Sequence, residues 1–228
     1  MMTDDLFAGL DGLADDMPPG REALAEGAVL LRGFARAQAT DLLAAVQAIA
    51  AEAPWRQMLT PGGRRMSVAM TNAGPLGWVS DAAGYRYAPR DPASGRPWPA
   101  MPEVFARLAG AAGAEAGFPG FAADACLINR YAPGTRLSLH QDRDEADLSA
   151  PIVSVSLGLP AVFLFGGLRR DDPMRRVPLG HGDVVVWGGP SRLRYHGVLP
   201  VQEGTHPATV DCRINLTFRR AAGASTSR

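Results

Sequence analysis

NRYAPGTRLSLHQD, residues 129–142, decides how the rest of the chain is read. It begins at Asn129-Arg130-Tyr131, turns at Pro133-Gly134, and closes on His140-Gln141-Asp142. Side chains in an extended strand alternate with period two, so His140 and Asp142 fall on one face. A second histidine, His196 of RYHG, follows 54 residues after Asp142. Two imidazoles and one carboxylate can hold a metal from one side. The remaining positions stay open for a cosubstrate and O2, which is the ligand pattern of non-haem Fe(II) sites. His-x-Asp alone is a common chance pattern, so its weight depends on its surroundings.

Those surroundings read as β-structure. ACLINRYA, PIVSVSLGL, AVFLFGGL, GDVVVWGG, LRYHGVLP and CRINLTF are short runs separated by Gly, Pro and Asp. Their number and spacing predict a sandwich or barrel. Upstream, Glu26–Phe34 reads as a strand, and Ala39–Ala53 as a helix with Leu42, Leu43, Val46 and Ile49 at apolar spacing and Thr40 as its cap. Residues 54–100 mix many Pro and Gly with Trp55, Trp78, Tyr85, Tyr87 and Trp98, which predicts short strands and a folded lid. Pro102–Ala116 returns to helix with proline in its first turn. Met66 and Met70, four apart, fit a buried helix face. The expected organisation is a mobile acidic stretch 1–20, helices and lid over 21–120, a β core over 121–220 and a fraying tail 221–228.

At 228 residues with 46% apolar content, the chain can bury a sizeable core as one compact domain. No apolar run is long enough to span a bilayer, and the acidic N-terminus does not resemble a signal peptide. Cys126 and Cys212 lie in strand-like runs and are expected to be reduced, packed thiols of a cytoplasmic protein. Net charge is zero but uneven: residues 1–26 hold seven acids and one arginine, the remainder 22 arginines and 16 acids. Lysine is absent, so every fixed cation is a planar guanidinium, suited to carboxylates and phosphates. The basic excess permits a nucleic-acid partner without requiring one.

Alternation also sorts the strands flanking the motif. Leu127, Asn129 and Tyr131 share one face; Arg213, Asn215, Thr217 and Arg219 share another, opposite Cys212, Ile214, Leu216 and Phe218. In isolation such polar rows read as solvated outer faces. Beside a candidate metal pair, they read as the lining of a lumen that holds a small dianion. Elsewhere the bland reading is kept: His181 and His206 as surface histidines in turns, and Arg169-Arg170 and Arg175-Arg176 as a solvated loop around DDPM.

TPGGRRMSVAMTN, LGWVSDAAGYRY, DACLINRYAPGTRLSLHQDRDE, APIVSVSLGLPAVFLFGGL, HGDVVVWGG, SRLRYHG and DCRINLTFR together resemble the bacterial AlkB family of Fe(II)- and 2-oxoglutarate-dependent DNA and RNA dealkylases, from about Gly27 to Arg220. The resemblance implies a mostly β α+β fold, a double-stranded β-helix (jelly roll) under an N-terminal nucleotide-recognition lid. It implies that His140, Asp142 and His196 bind Fe(II), and that Arg213 and Arg219 pair with the carboxylates of 2-oxoglutarate, helped by Asn129, Tyr131 and Asn215. Met70, Trp78, Tyr85 and Leu127 would line an alkylated-base pocket, with Asp144 facing the base and Arg170 at its polar edge. Arg64, Arg136 and Arg143 would meet the nucleic-acid backbone. The implied reaction consumes O2 and 2-oxoglutarate, yields succinate and CO2, and removes the methyl group of 1-methyladenine or 3-methylcytosine as formaldehyde. The implied partner is alkylated single-stranded DNA, with duplex DNA and RNA beside it; a monomer without membrane or obligate protein partner is expected. The chain departs from the resemblance at Arg64, where a member of the family carries an aromatic residue. Two other classes fit the same residues: an oxygenase of proteins or small molecules, and a non-catalytic jelly-roll binding module.

Overall fold

In the computed structural model, which describes residues 18–223, the β-runs resolve into two packed sheets. Strands are numbered along the chain. The larger sheet holds seven, in the order β1 (Gly20–Ala25), β2 (Ala28–Arg32), β11 (Val184–Trp187), β8 (Ile152–Gly158), β13 (Arg213–Arg219), β6 (Ala125–Tyr131) and β3 (Ala69–Ala73). The smaller holds four, β10 (Arg175–Leu179), β9 (Ala161–Phe165), β12 (His196–Val198) and β7 (Leu137–His140). β4 (Gly77–Asp81) and β5 (Gly84–Ala88) form a separate hairpin. From β6 onward the chain passes back and forth between the two sheets, the β9–β10 hairpin excepted. This is the expected jelly roll, with helices α1 (Ala39–Glu52) and α2 (Glu103–Glu115) added.

The larger sheet is covered on both faces. Outward-facing Val29, Leu31, Val153, Val155, Val184, Val186, Leu216 and Phe218 pack with Leu42, Val46 and Ile49 of α1 and Phe105, Leu108 and Ala112 of α2. Their strand neighbours Ala28, Leu30, Ile152, Val185 and Trp187 face inward with Phe163, Phe165, Val177, Leu179 and Val198 of the smaller sheet. Double burial explains why AVLLR and VVVW read as continuous apolar runs rather than alternating ones.

Several expectations change. The strand expected at Glu26–Phe34 is shorter, and β1 precedes it across the turn at Gly27. Thr40 is not a cap: a 3-10 turn, Arg36–Gln38, leads into α1, and no side chain caps it. Pro102 stands just outside α2. Met70 lies in β3 and pairs with Asn129, so the spacing of Met66 and Met70 marks no helix. Arg175 and Arg176 belong to β10, where Phe165 and Leu164 oppose them, because the DDPM turn folds the run back into a hairpin. His206 is buried at 8% exposure rather than at the surface, and its ring stacks at 4.5 Å on the half-buried His181. Asp124 accepts backbone N–H bonds from Ala221 and Ala222 at 2.6 and 2.9 Å, which pins the chain just past Arg220 where fraying was expected. The expectations for residues 1–17 and 224–228 lie outside the described residues. Strands β1, β2 and β3 from the 21–120 segment share one sheet with strands of the 121–220 segment. No helix among the described residues is long and apolar enough to cross a membrane.

Candidate active site

His140 is the last residue of β7 and His196 the first of β12, and the two stand directly opposite in the antiparallel ladder. Facing positions in such a ladder bring side chains together; the rings here are 4.3 Å apart. Asp142 lies beyond the end of β7, not on it as the His-x-Asp spacing suggests, yet the chain returns its carboxylate to the same point. Oδ1 is 3.5 Å from His140 Nε2, and Oδ2 is 3.7 Å from His196 Nε2. One ligand atom from each of the three residues lies within 4.8 Å of the others. Nδ1 of His140 meets the Ser138 carbonyl at 2.8 Å, and Nδ1 of His196 meets the Arg194 carbonyl at 3.0 Å. A carbonyl only accepts, so Nδ1 carries the proton and each Nε2 turns a lone pair inward.

The electrostatics favour a cation here. Burial would raise the Asp142 pKa, but the adjacent Arg219 guanidinium and both histidines hold it well below the usual carboxylate range. Burial, then the neighbouring His140, pushes His196 down to about 3, so its ring is a neutral ligand. Two imidazoles and one ionised carboxylate are a donor set suited to Fe(II).

Beside this centre runs the polar row expected from alternation. Strand pairing sets Arg213 opposite Tyr131, Asn215 opposite Asn129 and Thr217 opposite Leu127. The row is buried, with Arg213 at 1% and Arg219 at 6% exposure, so the solvated-face reading fails. Its members differ in what they have left to give. Asn215 spends its amide on Ser154 and Val155, and its oxygen accepts from Asn129 and Thr217. Arg219 donates to Asp142 Oδ2 at 2.7 and 3.0 Å and approaches Glu145 at 3.3 Å. Arg213 bonds Ser156 through Nη2 and lies 4.9 Å from the centre of the Tyr131 ring. Its Nε and Nη1 are buried without a partner, as is Asn129 Oδ1. Unmet buried donors of a guanidinium are costly, and a carboxylate would satisfy them. The residues present therefore fit both the metal and a dianionic cosubstrate. Gly158 helps to set Arg213: at φ +83° it opposes Arg213, and a Cβ there would come within 2.5 Å of the Cys212 carbonyl.

The hairpin β4–β5 reaches the residues that follow Asp142 through Trp78 and Tyr87. Trp78 and Tyr85 stack at 5.6 Å with 13° between their planes, and Tyr85 is 47% exposed. Trp78 Nε1 donates to Asp144 Oδ2 at 2.9 Å. Met70 and Leu127 are buried below, in the inter-sheet layer. Arg170 bonds the Leu139 carbonyl at 3.0 Å and lies over the Tyr195 ring. Arg64, Arg136 and Arg143 are exposed, and none forms an ion pair among the described residues. Ser67 ties the Arg64 loop to Arg136 through the Arg136 backbone.

Sequence reasoning missed a buried set around Glu145. Its carboxylate accepts from the Tyr87 hydroxyl at 2.6 Å and from Arg192 Nη2 at 2.9 Å. Arg192 also bonds the backbone carbonyls of Asp142 and Ala150. Burial holds the Tyr87 phenol protonated, well above its usual range, against the opposing pull of Arg219. The acidic run DRDE after the motif was the available signal, but its pairing with Arg192 spans 47 residues and follows no local period.

The sequence profile of the 2OG-Fe(II) oxygenase superfamily matches residues 27–219. The chain is 59% identical over 217 residues to the alpha-ketoglutarate-dependent dioxygenase AlkB of Escherichia coli K12, covering 95% of this chain and 97% of that protein. It is 42% identical over 94 residues to the human nucleic acid dioxygenase ALKBH1, covering 40% of this chain and 24% of that protein. Among solved structures, OsALKBH1 superposes with a TM-score of 0.78 at 31% identity, over 88% of this chain and all of that one.

Proposed function

We propose, from the premise that this chain belongs to the 2OG-Fe(II) oxygenase superfamily and to the AlkB family within it, that it removes N-alkyl groups from damaged bases of nucleic acid. It is an Fe(II)- and 2-oxoglutarate-dependent dioxygenase. His140, Asp142 and His196 hold the metal. Arg213 takes a carboxylate of 2-oxoglutarate through its unmet Nε and Nη1, at the buried end of the polar row. Arg219 contributes chiefly by holding Asp142 ionised and oriented. Asn215, its groups already engaged, frames the wall of the pocket, while Asn129 and Tyr131 line it.

When bound, iron with 2-oxoglutarate and O2 supplies an oxidant that converts the cosubstrate to succinate and CO2 and hydroxylates the N-methyl carbon, which then leaves as formaldehyde. The protein's part is to position and to exclude. The Trp78–Tyr85 pair offers an aromatic surface, and Asp144, two residues from Asp142, sets a carboxylate beside it. 1-Methyladenine and 3-methylcytosine are cations with a blocked pairing edge. They are easily unstacked, and their charge suits an aromatic face and an acid. Met70 and Leu127 form the apolar floor, and Arg170 stands at the rim. Exposed Arg64, Arg136 and Arg143 meet phosphates of a single strand.

The observation that carries this reading is the convergence of three ligand atoms beside an arginine with two unmet nitrogens. The human relative is a nucleic acid dioxygenase, which supports the substrate class. Fe(II) and 2-oxoglutarate are loaded without oxygen, then air and an oligonucleotide containing 3-methylcytosine are added. Loss of the methyl mass, with succinate and formaldehyde, is expected. Succinate with no change in single-stranded, duplex or RNA oligomers would refute the substrate assignment.

A further inference from the structure

The segment Asp142–Glu145 links the metal centre to the β4–β5 hairpin through three of its side chains. Asp142 turns its carboxylate to the two histidines. Asp144 receives the Trp78 indole N–H, and Glu145 receives the Tyr87 hydroxyl. These residues are in no strand, so no backbone ladder sets their geometry. Side chains do so instead. Arg192 grips the Asp142 carbonyl at 2.6 Å with one nitrogen and Glu145 with another. Arg219 bridges the Asp142 and Glu145 carboxylates. On the hairpin, Tyr87 stands directly opposite Trp78, and it shares a face of β5 with Tyr85 two residues away.

We propose that Glu145 is a positioning residue that couples the hairpin to the metal ligand Asp142, so that a base docked on Trp78 and Tyr85 is sensed at the metal. A shift of Tyr85 carries Tyr87 with it. Tyr87 moves Glu145, and the two arginines pass that displacement to the side chain and the backbone of Asp142. The arrangement ties oxidation of the cosubstrate to the presence of a base and limits turnover without one. This inference rests on the proposed function and adds to it a route between substrate and metal.

The test uses Tyr87→Phe and Glu145→Gln in the full chain. Tyr87→Phe removes one hydroxyl and leaves both arginines neutralised, so it carries the test even if Glu145→Gln fails to fold. Each protein is loaded with Co(II) and 2-oxoglutarate, and the visible cobalt bands are followed as a 3-methylcytosine oligonucleotide is added. Succinate formed per base repaired is measured separately with Fe(II). Wild type is expected to change its bands on adding the oligomer. Tyr87→Phe should bind the oligomer yet lose most of that change, and its succinate per repaired base should rise roughly fivefold, the size of one hydrogen bond. Glu145→Gln should do the same and also bind cobalt less tightly. A purely structural role would slow both outputs together and leave the ratio unmoved, so a wild-type ratio and wild-type bands in Tyr87→Phe overturn the coupling while the function stands. A wild type that repairs no base and shows no band change overturns both.

Discussion

The two faces of β13 are buried alike and do opposite work. Ile214, Leu216 and Phe218 face the helices, where Phe218 meets Phe105 edge-on at 5.7 Å. Arg213, Asn215, Thr217 and Arg219 face the smaller sheet, all within 6% exposure. Burial does not separate core from site here. What separates them is whether the buried groups are satisfied. The apolar face is complete within the chain, and the polar face leaves Arg213 Nε and Nη1 unmet, beside the unmet Asn129 Oδ1 of neighbouring β6. Substitutions on the first face should therefore cost stability, and substitutions on the second should cost binding or chemistry.

The largest effect expected on the site side is at the metal. Alanine at His140, Asp142 or His196 should abolish turnover while circular dichroism stays close to wild type; near-normal repair by any of the three would remove that residue from the ligand set. The matching break on the core side is Phe218→Ala, which should lower unfolding free energy by about 3–5 kcal/mol. Denaturant titration measures it, and a loss of less than about 1 kcal/mol would mean that the helix face is not the packed face described.

Next in size is the contrast between the two arginines. Arg213→Lys keeps the charge but loses the planar fork. Removing charge-assisted bonds worth about 1.5–3 kcal/mol should raise the 2-oxoglutarate requirement by roughly 10- to 150-fold. Metal affinity should stay near wild type. Arg219→Lys, acting on Asp142, should weaken Co(II) binding as well. Identical metal affinities in the two variants would erase the distinction drawn between a cosubstrate arginine and a carboxylate-holding one.

Trp78→Ala sharpens the comparison at the hairpin. Loss of stacking worth about 1–3 kcal/mol should weaken methylated-base turnover. Oxidation of 2-oxoglutarate without substrate should fall less. Were both to fall equally, Trp78 would belong with the packing residues. The smallest effect is expected at Arg64, which is exposed and unpaired among the described residues. Arg64→Ala should weaken single-strand binding to a similar degree for every sequence and reduce the salt slope by about 0.7. Parallel salt series with equal intercepts would make Arg64 a bystander.

Local pattern made much of this legible. The period-two alternation of ACLINRY and CRINLTFR assigns every inward and outward side chain of β6 and β13 correctly, because side-chain direction in a strand depends only on position along it. The same rule set His140 beside Asp142 but misplaced Asp142, which leaves the strand after His140 and returns to His140 and His196 from a loop. The strands β1 and β10 escaped reading: short edge strands with charged residues have little apolar signal. Arg175 and Arg176 look like loop charges until the β9–β10 pairing makes them strand residues.

The chain by itself determined a β sandwich or barrel, the polar row and a candidate triad of His140, Asp142 and His196 from residue type and spacing, while the jelly-roll class followed from the family resemblance. Only the tertiary structure decided which of those polar groups remain available. Asn215 is consumed by Ser154 across 61 residues, and Arg219 by Asp142 across 77. Glu145 acquires Tyr87 and Arg192 from opposite sides of the sequence. Hydrogen-bond satisfaction is a property of neighbours in space, and these neighbours meet only when distant strands and the hairpin close over one centre.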